Sequence, residues 1–203
     1  MSDHYKAPAE ILEKEIVIKK SRFIARVGRV ANKAEVKLFL EQARRDFKDA
    51  RHHCWAYLIG NPTGIPSAAT NDDGEPSGTA GRPILNVIQH KAVGDVMLVV
   101  IRYFGGVKLG AGGLTRAYSS AAENVLSTVQ LMQIQSMTEI KFVMNFSVEQ
   151  IIRHWLENHS SKVINIEYTE NVTMTASVPS KDLELFLKIC SAQSIILIYP
   201  DCE

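Results

Sequence analysis

Residues 96–116 read VMLVVIRYFGGVKLGAGGLTR, and the organisation of the chain can be worked outward from them. The first eight, 96–103, form the most hydrophobic short run of the sequence and predict a central β-strand. Five glycines follow between Gly105 and Gly113. Beyond them Leu114, Ala117, Tyr118, Ala121, Ala122, Val125, Leu126 and Val129 recur at helical spacing. The stretch is therefore a strand, a glycine-rich turn and a helix.

Upstream, apolar and polar residues alternate across 15–30, with runs at 16–18 and 23–27 on either side of Ser21 and Arg22, and predict one or two strands. Asn32, with Glu35 three residues on, reads as a capping box before a helix whose inner face is Val36, Phe39, Leu40, Ala43 and Phe47. A strand follows at 54–59 (CWAYLI), then a long loop over 63–81 with room for a short strand, then a helix over 80–90. Downstream the character changes near Leu131. Strands are expected at 139–146, 162–168, 172–178 and 195–199, with helices at 148–158 and 180–192, capped by Ser147 and Ser180. The order β-α-β-β-α-β is the ferredoxin-like pattern. The expectation is an α+β chain of two domains, 1–132 and 133–203.

The composition narrows the class. The 203 residues are 46% hydrophobic, enough for packed cores, and 23 basic against 22 acidic residues give a net charge of +1. A protein that coats nucleic acid through overall charge is excluded, so any polyanion site must be a local patch. No apolar run approaches the ~18–20 residues that span a bilayer. The polar start, MSDHYKAPAEILEKE, lacks the pattern of a secretory leader. Cys54, Cys190 and Cys202 form no CxxC pair, which points to a reducing compartment, no disulfide framework and no structural zinc. A cytoplasmic protein without a membrane segment is expected.

Three segments could carry chemistry. In the first, Gly105, Gly106, Gly110, Gly112 and Gly113 lead into a helix, where free amide N–H groups and the positive end of the dipole suit a phosphate. Arg102, Lys108 and Arg116 add charge around it. The alternative is that the glycines serve only a tight turn and close packing. Neither common nucleotide motif fits. After Gly110 come Ala111 and Gly112 in place of the P-loop Lys-Ser/Thr, and Thr115 stands where a dinucleotide fingerprint starting at Gly110 needs its third glycine. In the second segment, Asp72, Asp73 and Glu75 could form a cation, acid–base or partner surface. They could equally make an Asp-Gly turn before a helix capped by Ser77 or Thr79. The third segment is Arg51-His52-His53-Cys54. Adjacent histidines on a strand face opposite ways, so one at most can join a given site. Cys54 opens a hydrophobic strand and reads better as a buried thiol than as a nucleophile.

Together the stretches KKSRFIA (19–25), ARHHCWAY (50–57), NDDGEPSGTAGRPIL (71–85) and VVIRYFGGVKLGAGGLTRAYSSAA (99–122) resemble the IMPACT/YigZ family, in order and across the whole first domain. The second domain resembles the ferredoxin-like tail of bacterial members. The resemblance implies that the first domain has the fold of the second domain of ribosomal protein S5, a sheet with helices on one side. It also implies regulation of translation. In eukaryotic relatives this works through protein contacts that restrain activation of a kinase acting on an initiation factor; for bacterial relatives the resemblance implies binding to nucleic acid or the ribosome.

The expected function is a translation-associated protein that binds RNA or the ribosome. Its candidate contacts are Arg51, His52, Arg82, Arg102, Lys108 and Arg116 with the glycines of 105–113. A regulator that acts through protein partners, contacted by the DDGEP loop or the C-terminal sheet, is the alternative. A phosphate-ligand or magnesium-dependent enzyme, with Asp72, Asp73 and Glu75 as ligands, is a further one. The sequence calls for no cofactor and no metal, and shows no complete catalytic motif.

Overall fold

The computed structural model describes residues 4–198, so Tyr199, the end of the expected last strand, and Cys202 lie outside the described residues. The chain forms two compact units, Met1–Ile134 and Gln135–Glu203.

In the first unit the run at 96–103 is β6 (Val96–Tyr103), the middle strand of a five-stranded antiparallel sheet. The order is β2 (Leu12–Ile18), β3 (Ser21–Arg29), β6, β4 (His52–Ile59), β5 (Ser67–Asn71). All residues from Val96 to Arg102 are buried. Their side chains alternate between two cores. Val96, Leu98 and Val100 pack with Phe23, Cys54 and the inner faces of α2 (Gly81–His90) and α3 (Gly110–Leu126). Met97, Val99 and Ile101 pack on the other face with Val36, Phe39 and Ala43 of α1 (Lys33–Asp46). The resemblance implies helices on one side of this sheet, and the structure corrects that, because α1 covers the second face. A strand apolar at every position needs cover on both sides. Each fully buried aliphatic side chain contributes about 1.5–3 kcal/mol.

Local signals explain the boundaries. The side chain of Asn32 accepts from the Glu35 amide at 3.0 Å, and the Glu35 carboxylate accepts from the Ala31 amide at 2.8 Å, which closes the start of α1. Strands β2 and β3 form a hairpin over Lys19 and Lys20, both at positive φ (45° and 67°), the geometry of a two-residue primed turn. An additional two-stranded sheet, β1 (His4–Pro8) with β7 (Leu131–Gln135), had no recognisable periodic signal.

The second unit runs β8 (Met137–Met144), α4 (Phe146–Asn158), β9 (Lys162–Tyr168), β10 (Val172–Pro179), a 3-10 turn (Ser180–Asp182), α5 (Leu183–Ala192) and β11 (Ile196–Ile198). The antiparallel sheet order is β11-β8-β10-β9. Its core contains Phe142, Met174, Ile152, Leu156, Phe186 and Cys190. The two expected serine caps are corrected. Helix α4 starts one residue before Ser147, behind Asn145, with no side-chain cap. Ser180 lies in the 3-10 turn, with its hydroxyl 3.0 Å from that of Thr138.

Candidate functional site

Strand β6 ends at Tyr103, the chain passes Phe104 and turns through Gly105 and Gly106, and α3 starts at Gly110. Gly110, Gly112 and Gly113 thus belong to the first turn of the helix rather than to the loop before it. Two glycines have demonstrable reasons. A Cβ on Gly105 would run into the Lys20 carbonyl group of the hairpin, and the Gly105 amide donates to the Ser21 hydroxyl at 3.1 Å. Gly110 has φ +71°, a left-handed value glycine adopts without cost, and open space where a Cβ would stand. Leu109 occupies the N-cap position, and among the described residues no side chain caps α3. A helix start leaves about four amide N–H groups without intrahelical partners, and the dipole adds partial positive charge there.

In front of this helix start lies a hollow of about 410 Å³. Arg51 and His52 come from the start of β4, Glu75 and Pro76 from the DDGEP turn, Arg102 and Phe104 from the end of β6, and Lys108, Leu109, Gly110, Ala111 and Leu114 from the entrance and first turns of α3. Sheet register explains the grouping. Arg102 stands beside Phe23 on β3 and His52 on β4, so the three share a face. His53 therefore points to the opposite face, where burial lowers its pKa despite the attraction of Asp73. His52 is the histidine that reaches the hollow, with Nδ1 2.7 Å from the Asp73 carbonyl.

The floor of the hollow is a buried polar chain. Arg102 Nη1 donates to Glu75 Oε1 at 2.5 Å, and the two side chains are only 8% and 4% exposed. The Tyr118 hydroxyl donates to the same oxygen at 2.9 Å, the Cys54 thiol lies 3.3 Å from that hydroxyl, and Cys54 Sγ is 2.9 Å from the Asp72 carbonyl. Burial is the main cause that pushes the Cys54 thiol up to about 12, with Glu75, Asp73 and Asp72 adding to it, and burial also raises the Tyr118 hydroxyl. A thiol so placed is protonated at neutral pH and makes a poor nucleophile. The Arg102 guanidinium lies 5.5 Å from the Phe23 centroid and 5.6 Å from that of Phe104. Its Nε finds no hydrogen-bond partner among the described residues.

The three carboxylates of the DDGEP turn diverge. Asp72 turns inward to accept the amides of Gly78, Ala80 and Gly81 at 2.8–2.9 Å. It therefore does the capping expected of Ser77 or Thr79, from eight and nine residues away in sequence from the α2 start. Burial acts to raise its pKa, but the three amides outweigh it and hold the carboxyl below the usual range. Asp73 accepts the His53 amide at 2.7 Å and meets Arg44 at 3.2 Å. Glu75 is buried against Arg102 instead of forming an exposed surface. Among the described residues no group of three His, Cys, Asp or Glu side chains is disposed to hold a metal ion.

Of the residues singled out from the sequence, the hollow gathers Arg51, His52, Glu75, Arg102, Lys108 and Gly110. Gly113 and Arg116 line a second, smaller hollow of about 280 Å³ with Lys19, Leu109 and Ser120. Arg82 is exposed in the first turn of α2 and lines neither. Phe104 and Lys19 escaped the residue-by-residue reading, and Tyr118 entered it only as part of the apolar stripe of α3, without the role of its hydroxyl. Only the aromatic directly before the Gly105-Gly106 pair carried a local signal.

An α+β protein with an arginine-floored hollow at an uncapped helix start is the class that this geometry defines. Residues 19–126 match the Impact N-terminal domain, and residues 143–188 match a domain of unknown function, DUF1949. The chain belongs to the IMPACT family. It is 38% identical to the IMPACT family member YvyE of Bacillus subtilis (strain 168), over 92% of this chain and 85% of that one. It is 34% identical to the IMPACT family member YigZ of Escherichia coli (strain K12), over 89% of this chain and 87% of the relative. A crystal structure of a hypothetical protein is similar along the whole of both chains, with a TM-score of 0.80 and 32% identity.

Proposed function

We propose that this protein is a non-catalytic regulator associated with translation, and that it binds RNA or the ribosome through the basic face around the start of α3. The observation that carries the reading is the meeting of the exposed Arg51 and Lys108 with the uncapped first turn of a 17-residue helix. Positive side chains and free amides at one place favour phosphate. Membership of the IMPACT family agrees with a role in translation. A non-catalytic role is supported by the protonated, buried Cys54 and by carboxylates already engaged with amides and arginines. For the fold, we read the first unit as related to the second domain of ribosomal protein S5. We read the second unit as ferredoxin-like, on its β-α-β-β-α-β order and antiparallel sheet.

The test is co-sedimentation of the purified protein with ribosomes and their subunits across a salt series. Binding should weaken steeply with salt, because each neutralised phosphate releases counterions. Lys108 and Arg116 are exposed, so Lys108→Ala with Arg116→Ala should weaken binding without a change in thermal stability. The salt slope should fall by about 1–2. No binding at low salt would overturn the proposal and move the surface to a protein partner.

A further inference from the structure

The basic face is not uniformly polar, and that contrast says what form of RNA it takes. Phe104 lines the hollow with 51% of its surface open. The Arg102 guanidinium lies 5.6 Å from its centroid, and Arg102 is fixed in turn by Glu75. Pro76, Leu109 and Leu114 supply further apolar wall. The exposed Arg51 and Lys108 line the hollow as well, while Arg102 in its wall is ion-paired to Glu75. One compartment of about 410 Å³ therefore offers an open aromatic ring, the cations of Arg51 and Lys108 and a helix start. That volume lies in the range of small-ligand sites, about 300–1,000 Å³. A rigid duplex cannot use such a site, because its bases are stacked on one another and their faces are covered.

We infer that the hollow takes one nucleotide of single-stranded RNA, its base against Phe104 and its phosphate on the first-turn amides of α3. The inference rests on the RNA-binding reading above and narrows it. Leu109 lines both hollows, so the strand continues over the helix start to the second one, where Lys19 and Arg116 meet the next phosphate. Lys19 reaches that place through the positive-φ turn of the β2–β3 hairpin, which Gly105 abuts. The aromatic ring reads base faces rather than base edges, so the site tolerates different sequences.

The experiment is fluorescence anisotropy of the full chain with a labelled single-stranded hexanucleotide. The matching duplex and a free nucleoside monophosphate serve as competitors. The single strand should outcompete the duplex at least ten-fold, and the monophosphate should compete far more weakly than the hexanucleotide. Phe104→Leu should weaken single-strand binding by roughly 5- to 150-fold with an unchanged salt slope, the loss expected for one stacked base. Phe104→Trp, which keeps a ring, should retain binding, and this separates loss of stacking from loss of fold. Lys19→Ala should instead reduce the salt slope by about 0.7, one phosphate contact on a single strand. Duplex or ribosome binding that Phe104→Leu leaves intact would overturn the single-strand inference alone. A monophosphate that competes as well as the hexanucleotide would make the hollow a mononucleotide site and overturn it too. Binding of no RNA and no ribosome at low salt would overturn both readings.

Discussion

Removing the Glu75 carboxylate tests the buried polar chain on which the hollow rests. In Glu75→Ala the Arg102 guanidinium, 8% exposed, loses its 2.5 Å partner, and its Nε already has none among the described residues. The Tyr118 hydroxyl loses its acceptor at 2.9 Å as well. Breaking a buried ion pair by deleting one partner costs about 3–5 kcal/mol, mostly the uncompensated charge left behind. The lost hydroxyl bond adds about 1 kcal/mol, not independently of the first loss. We expect about 4 kcal/mol of destabilisation in the first unit. A domain of this size loses roughly 3–5 °C of Tm per kcal/mol, so the transition should fall by about 10–20 °C. The assay is urea and thermal unfolding followed by Trp55 fluorescence in a Trp155→Phe background, so that only the first unit reports. Glu75→Leu combined with Arg102→Met replaces the pair by apolar groups and should recover to within about 2 kcal/mol of the parent. If Glu75→Ala melts within about 1 kcal/mol of the parent, the pair is not the buried, uncompensated element argued here.

Three further outcomes are expected. Asp72→Asn leaves one acceptor oxygen for three amides and should cost about 1 kcal/mol at pH 7, measured by urea unfolding. The Asp72 carboxyl is held below its unfolded value, so its contribution is full above about pH 4 and is lost as the pH falls through the lower folded value. The gap between parent and Asp72→Asn should therefore be flat from pH 5 to 8 and close below pH 4, and a gap that widens in acid would contradict the assignment. Gly105→Ala pushes a methyl group into the Lys20 carbonyl group and should destabilise by about 1–3 kcal/mol, with the melting temperature as readout. The Cys54 thiol, raised by burial to about 12, should resist maleimide at pH 8 in the native protein and react only along the urea transition. Peptide mass spectrometry that found Cys54 labelled as fast as a free thiol would refute this.

Much of the architecture was legible because its causes are local. The run at 96–103 announced β6, Asn32 and Glu35 announced the start of α1, and period-2 and period-3.6 patterns placed α5 and the strands of the second unit. The serine caps misled, since capping preference is satisfied by whichever acceptor the fold brings near. At α2 that acceptor is Asp72, and at α4 there is none among the described residues. Arg102, Lys108 and the glycines of 105–113 stood out by residue type and clustering, but their partners did not.

Spacing along the chain determined that a hydrophobic strand, a glycine-rich turn and a helix follow one another, because dihedral preference and side-chain periodicity act over a few residues. Only the tertiary structure decided that Glu75 lies beneath Arg102, 27 residues away, and that His52 rather than His53 looks into the hollow. It also brought Lys19 alongside Arg116 and laid α1 over the second face of the sheet. Each of these follows from strand register and from the need to bury both faces of β6. Those constraints act between residues distant in sequence, and no window of the sequence contains both partners.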